Sequence, residues 1–190
     1  MADAANPGAT SEARVQVLFL CTANQVRSPF ACAVARSIAA REQLPIEFSS
    51  AGLMEGGAPA AESIVRIATK SGLDLEGHVS RRVTAEMADS ADIVVAMTGA
   101  HVVDLSADFP DLLGRAITLR EAARATETLG PPEWSPPRVR EWTTEVARRP
   151  LSALLSPAVD IADPAGQSRR AYRRAAEQIS HEVECLLIAH

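Results

Sequence analysis

Apolar positions along this chain follow two periods. The segment Val15-Gln16-Val17-Leu18-Phe19-Leu20 is a nearly unbroken apolar run with the length and β-branched bias of a buried parallel strand. It ends at Cys21. Six residues later come Arg27, Ser28 and Pro29, after which Phe30, Val34 and Ile38 recur at helical spacing. Proline is favoured in the first turn of a helix, so Arg27-Ser28-Pro29 predicts a loop closing onto a helix N-terminus. Near the other end, Tyr172, Ala175, Ala176, Ile179, Val183, Leu186 and Leu187 form one stripe of a long amphipathic helix. Strands alternating with helices predict an α/β three-layer domain with a parallel sheet. Ligands in such sheets bind beyond the carboxyl ends of the strands, where Cys21 falls.

The loop chemistry points to an anion. Five residues between Cys21 and Arg27 can curl so that their backbone N–H groups face inward, a nest at a helix N-terminus. The positive field of such a nest favours thiolate over thiol. The planar guanidinium of Arg27 can hold two oxygens of a phosphoryl group at once, which a lysine cannot do. A thiolate, an amide cradle and an arginine together describe a nucleophile aimed at phosphorus.

Cys21, Asn24, Arg27, Ser28 and Pro29 match a Cys-x5-Arg-Ser phosphate loop, and through it the chain resembles the low-molecular-weight protein tyrosine phosphatases. That resemblance implies a phosphotyrosine phosphatase I-like fold: a four-stranded parallel sheet in flavodoxin-like order. Phe48-Ser49-Ser50-Ala51-Gly52 looks like its second strand and Ser-Ala-Gly turn, Ala91–Met97 its third strand, and Arg115–Thr118 its fourth. It implies that Thr22, Ala23, Asn24, Gln25, Val26, Arg27 and Ser28 bind phosphate with Cys21. It also implies that Asn24, Ser28, Ser50 and His78 prop the loop open. The leaving oxygen needs a proton donor. The resemblance assigns this to Asp163, in Asp160-Ile161-Ala162-Asp163-Pro164, ahead of the last helix. Cys21, Arg27 and Asp163 are thus the expected catalytic residues. No metal or cofactor is implied.

Several positions depart from the family pattern. Ala23 stands where glycine is common, and Val26 where many members carry a second cysteine that traps the oxidised nucleophile. Gln25 replaces the aliphatic wall of tyrosine-specific members, at a position where arginine-phosphate-specific relatives place threonine. Ala165-Gly166 follows Asp163-Pro164 where tyrosine-specific members have an aromatic residue, and the loop Leu53-Met54-Glu55-Gly56-Gly57 lacks aromatics too. Residues 120–157 are expected to be an insertion, turn-like at Gly130–Pro137 and helical over Val139–Val146. It holds both tryptophans. Trp134 and Trp142 are expected to pin it to the domain; the alternative is a lid that restores an aromatic wall.

Composition narrows the setting. Residues 1–14 lack an apolar core and read as a disordered arm rather than a signal peptide, leaving 15–190 as one phosphatase domain. The formal net charge of −5 argues against nucleic acid or an anionic membrane as partner. Three cysteines, one of them in a reactive setting, suit a reducing cytoplasm better than a disulfide framework. Cys32 and Cys185 lie in helical patterns, as packed thiols do. Eighteen arginines against one lysine, with abundant alanine, hint at a GC-rich bacterial genome. The expected activity is hydrolysis of phosphate monoesters through phosphocysteine, with protein phosphotyrosine as substrate. A small-molecule or sugar phosphate, or phosphoarginine, is the alternative, ahead of an arsenate reductase-like enzyme or a phosphate-binding module without turnover. Oligomeric state is not legible.

Overall fold

The computed structural model describes residues 14–188; apart from Arg14, the expected arm lies outside the described residues. Four parallel strands, β1 (Val15–Cys21), β2 (Ile46–Gly52), β3 (Ile93–Ala96) and β4 (Ala116–Thr118), form one sheet in the order β2-β1-β3-β4. Among the described residues seven α-helices surround it: α1 (Arg27–Glu42), α2 (Glu62–Lys70), α3 (Ala85–Ser90), α4 (Gly99–Asp108), α5 (Leu119–Leu129), α6 (Pro136–Val146) and α7 (Arg169–Leu187). This is the expected three-layer arrangement.

The pleat of β1 explains the layers. Val15, Val17, Phe19 and Cys21 face a core shared with α1, α5 and α7, while Leu18 and Leu20 face a second core built with α3 and α4. Both faces are covered, so β1 reads as an apolar run rather than an alternating one. In register, Val17 lies between Phe48 of β2 and Ile93 of β3. From β1 the chain crosses through α1 to one edge, and from β2 it returns past β1 to build the other edge. The loops after β1 and β3 therefore diverge, leaving a crevice beyond their carboxyl ends. Cys21 ends β1 at that crevice.

Residues 130–157 rest against the domain rather than over the crevice. Arg140 of α6 pairs with the buried Asp92 at 2.8 Å, whose other oxygen accepts from the Gln16 amide at 2.8 Å. Trp142 Nε1 donates to the Gly130 carbonyl at 3.1 Å, and Trp134 and Trp142 pack against the larger core. Among the described residues no helix is long and apolar enough to cross a membrane.

Candidate active site

The segment after β1 is held from outside by its carbonyls. Cys21 O and Thr22 O accept from the Leu53 amide at 3.1 and 2.8 Å, and Thr22 O also from Met54 at 3.0 Å. Gln25 O accepts from the Ala61 amide at 2.9 Å, and the Asn24 carbonyl bonds His78 Nε2 at 2.7 Å. The amides of residues 22–27, by contrast, find no acceptor among the described residues. That run of inward-curling donors is free to hydrogen-bond an anion. Asn24 supplies the bend in a left-handed conformation, φ 53°, which asparagine tolerates better than most side chains. Gly52 lets the second strand approach. A Cβ there would lie 2.7 Å from Thr22 O and 2.9 Å from Asn24 N.

Buried polar side chains brace the loop. Asn24 Nδ2 donates to Ser28 Oγ and Ser50 Oγ, both at 2.9 Å, while Asn24 Oδ1 accepts from the Arg81 amide at 3.0 Å. Ser28 Oγ lies 3.1 Å from Cys21 Sγ. A hydroxyl at that distance can donate to a thiolate and stabilise it as attacker and as leaving group. The structure thus brings Asn24, Ser28, Ser50 and His78 together; the His78 side chain bonds the loop's backbone at the Asn24 carbonyl rather than a side chain of the network.

Arg27 opens α1 and is 3% exposed. Its Nη2 lies 2.5 Å from Asp163 Oδ2 and donates to Thr22 Oγ1 at 3.3 Å, while Nη1 donates to the Ile161 carbonyl at 3.1 Å. Asp163 reaches this position because its segment is tied to the sheet. Asp160 Oδ1 accepts from the Gly99 amide at 2.9 Å, and the buried Ile161 donates its amide to Met97 O, just past β3, at 2.7 Å. Cys21, Arg27 and Asp163 share a small cleft of about 240 Å³ that Ala23, Gln25, Val26, Ala61, Ala165, Gly166 and Tyr172 complete.

The model of the family "Low molecular weight phosphotyrosine protein phosphatase" matches residues 16–129. The chain belongs to that family. It is a cysteine-based phosphatase. It is 35% identical to a protein-arginine-phosphatase of Bacillus subtilis over 56% of this chain and 71% of that protein. It is 34% identical to the low molecular weight protein-tyrosine-phosphatase Etp of Escherichia coli over 53% of this chain and 66% of that one. A crystal structure of a YwlE mutant from Bacillus subtilis superposes with a TM-score of 0.69 at 27% identity, covering 90% of this chain and 95% of that one. The family match ends with α5, so α6 and the acid segment after it lie beyond it.

One side chain of the cleft and one behind its loop escape a motif search. Tyr172, the chain's one tyrosine, is on the apolar stripe of α7 yet its side chain lines the cleft, the aromatic face that neither tryptophan provides. His101, third residue of α4 and 5% exposed, lies with Nε2 2.9 Å from Thr22 Oγ1. Burial, seconded by the Arg27 charge and opposed by Asp163, lowers its pKa to about 4. A neutral ring suits this contact: Thr22 Oγ1 accepts from Arg27 and can donate its own proton to His101 Nε2. The remaining thiols lie on helices, Cys32 in α1 and Cys185 in α7. Cys32 and Cys185 are buried and unpaired, and burial pushes both thiols up.

Proposed function

We propose that this phosphatase removes phosphoryl groups from protein side chains, phosphotyrosine first among them, by way of a phosphocysteine on Cys21. The Cys21 thiolate attacks phosphorus in line with the leaving oxygen. The amides of residues 22–27 and the Arg27 guanidinium take the equatorial oxygens, whose charge spreads in the transition state. A phosphoryl dianion competes with Asp163 for Arg27, and its arrival turns the acid toward the leaving oxygen, which Asp163 protonates. The Asp163 carboxylate then takes a proton from water as that water attacks the phosphocysteine. Inorganic phosphate leaves, and Ser28 stabilises the returning thiolate.

The observation that carries this reading is the meeting of Arg27 and Asp163, 136 residues apart in sequence, at the thiol of Cys21. The Tyr172 side chain adds an aromatic face for the substrate ring. Gln25, half-buried in the same wall, favours a second reading. A polar side chain there suits a hydrogen-bonding substrate such as phosphoarginine, and relatives from Bacillus subtilis and Geobacillus stearothermophilus are named for that activity. An arsenate reductase-like relay has less support, since Val26 and the buried thiols of Cys32 and Cys185 offer Cys21 no resolving partner. The same unpaired cysteines favour a reducing compartment such as the cytoplasm. In domain terms we read 15–190 as one catalytic unit, with added chain at about 120–157 pinned to its side. Hydrolysis rates on a phosphotyrosine peptide, a phosphoarginine peptide and small phosphate esters, each with Cys21→Ser as control, test the assignment. A preference for small esters over both peptides would sink it.

A further inference from the structure

Beside the phosphate cleft lies a second depression that the proposed chemistry does not use. It is a groove of about 650 Å³ between α2 and α7, with Phe30, Ile67 and Tyr172 among its apolar lining. Its rim is basic. Arg66 and Lys70 come from α2, and Arg169, Arg170 and Arg173 from the first turns of α7; Arg174 lines an adjoining recess. Glu62 pairs with Arg66 and Glu177 with Arg173. Among the described residues, no carboxylate lies within ion-pair distance of Lys70, Arg169, Arg170 or Arg174.

Two observations set this patch apart from an ordinary solvated face. The chain carries a formal net charge of −5 and a single lysine, so the groove is a local reversal of sign. Arg169 and Arg170 also open α7, whose first turn has no acidic residue. Cations at a helix N-terminus oppose the macrodipole, so this placement works against the helix. Tyr172 joins the groove to the reaction, because it lines both the groove and the cleft containing Cys21 and Asp163.

We propose that this groove docks an acidic stretch of a phosphoprotein substrate, adjoining the phosphorylated side chain held in the cleft. Carboxylates of the substrate pair with Arg169, Arg170, Arg173 and Lys70, while its apolar side chains rest on the half-buried Ile67. The inference rests on the protein-phosphatase reading above. Its distinguishing feature is charge: the docking attraction acts on association, and so it fades as salt shortens the screening length.

The test compares kcat/KM on phosphotyrosine and phosphoarginine peptides, each with either glutamates or alanines flanking the phosphorylated residue, and on para-nitrophenyl phosphate. Wild type is measured beside the triple variant Arg169→Glu, Arg170→Glu, Arg173→Glu. The variant puts carboxylates where the helix field favours them, and circular dichroism checks its fold. In low salt, glutamate flanks are expected to raise wild-type kcat/KM about tenfold. The variant loses that advantage, as does wild type in molar salt, while para-nitrophenyl phosphate turnover holds within about twofold. Equal rates on both flanks at low salt overturn the docking site. If wild type hydrolyses the small ester but neither peptide, the protein-phosphatase reading fails by itself. The groove is then judged by anisotropy of a fluorescein-labelled hexaglutamate peptide: weaker binding to the variant upholds an acidic-peptide site, and unchanged binding refutes it. Tighter binding to phosphatidylglycerol vesicles than to hexaglutamate also refutes it, in favour of a membrane surface.

Discussion

Acidification from pH 8 to pH 5 removes stability from this protein through His101. The native ring titrates at about 4 against 6.5 for an ordinary histidine. Between those values the unfolded chain binds more protons than the native one. Stability is therefore full above about pH 7, falls as pH drops through the 6.5-to-4 window, and levels off below it. Linkage over this 2.5-unit gap gives a loss of about 2 kcal/mol at pH 5 and about 3 kcal/mol in full. For a domain of this size, 2 kcal/mol corresponds to a fall of roughly 4–8 °C in Tm.

Carboxylates also titrate in the lower part of that range, so the reference is His101→Gln. Its amide group can bond the Thr22 hydroxyl, which lies 2.9 Å from His101 Nε2, and it does not titrate. The assay is the melting temperature of both proteins at half-unit steps from pH 8 to pH 5. The wild-type curve should fall more steeply, and the difference between the curves should grow by about 4–8 °C. Parallel curves would show that burial beside Arg27 does not hold the ring neutral, and the account of the Thr22–His101 pair would be wrong.

Other expectations are direct. Cys21→Ser should abolish turnover while leaving Tm nearly unchanged, measured on para-nitrophenyl phosphate and by calorimetry. Asp163→Ala should lower kcat about 10²–10⁴-fold on poor leaving groups and far less on para-nitrophenolate, so the slope of rate against leaving-group pKa should steepen. Gly52→Ala places a methyl 2.7 Å from Thr22 O and so should disturb the phosphate loop, read as a weaker inhibition constant for inorganic phosphate. Arg149→Met leaves Glu121 without its partner at 2.5 Å, both side chains being 11% exposed, and should cost about 3 kcal/mol in urea unfolding.

What could be read from the sequence alone follows from how local each signal is. β1, Cys21 and the start of α1 were legible because one continuous segment carries strand, loop and helix, and the loop's chemistry sits within it. Asp163 was reachable only through resemblance, since an Asp-Pro is a turn signal until the fold carries it to Arg27. His101 had no such handle. Its partner Thr22 lies 79 residues away, and the neutral state of the ring is a product of burial that no spacing encodes. Tyr172 was legible for the wrong reason: helical periodicity marks it as core, and it is buried, but one side chain can be packed on a helix and still line a cleft. The tryptophans show the reverse case, aromatic residues near the acid segment in sequence that the fold spends on anchoring α6. The nucleophile and its phosphate cradle are therefore written in a short local motif, and the proton donor is not. On the reading proposed above, substrate choice rests on Gln25 of the loop after β1 and on Tyr172 and the arginines of α7, two parts of the chain that meet only once it has folded.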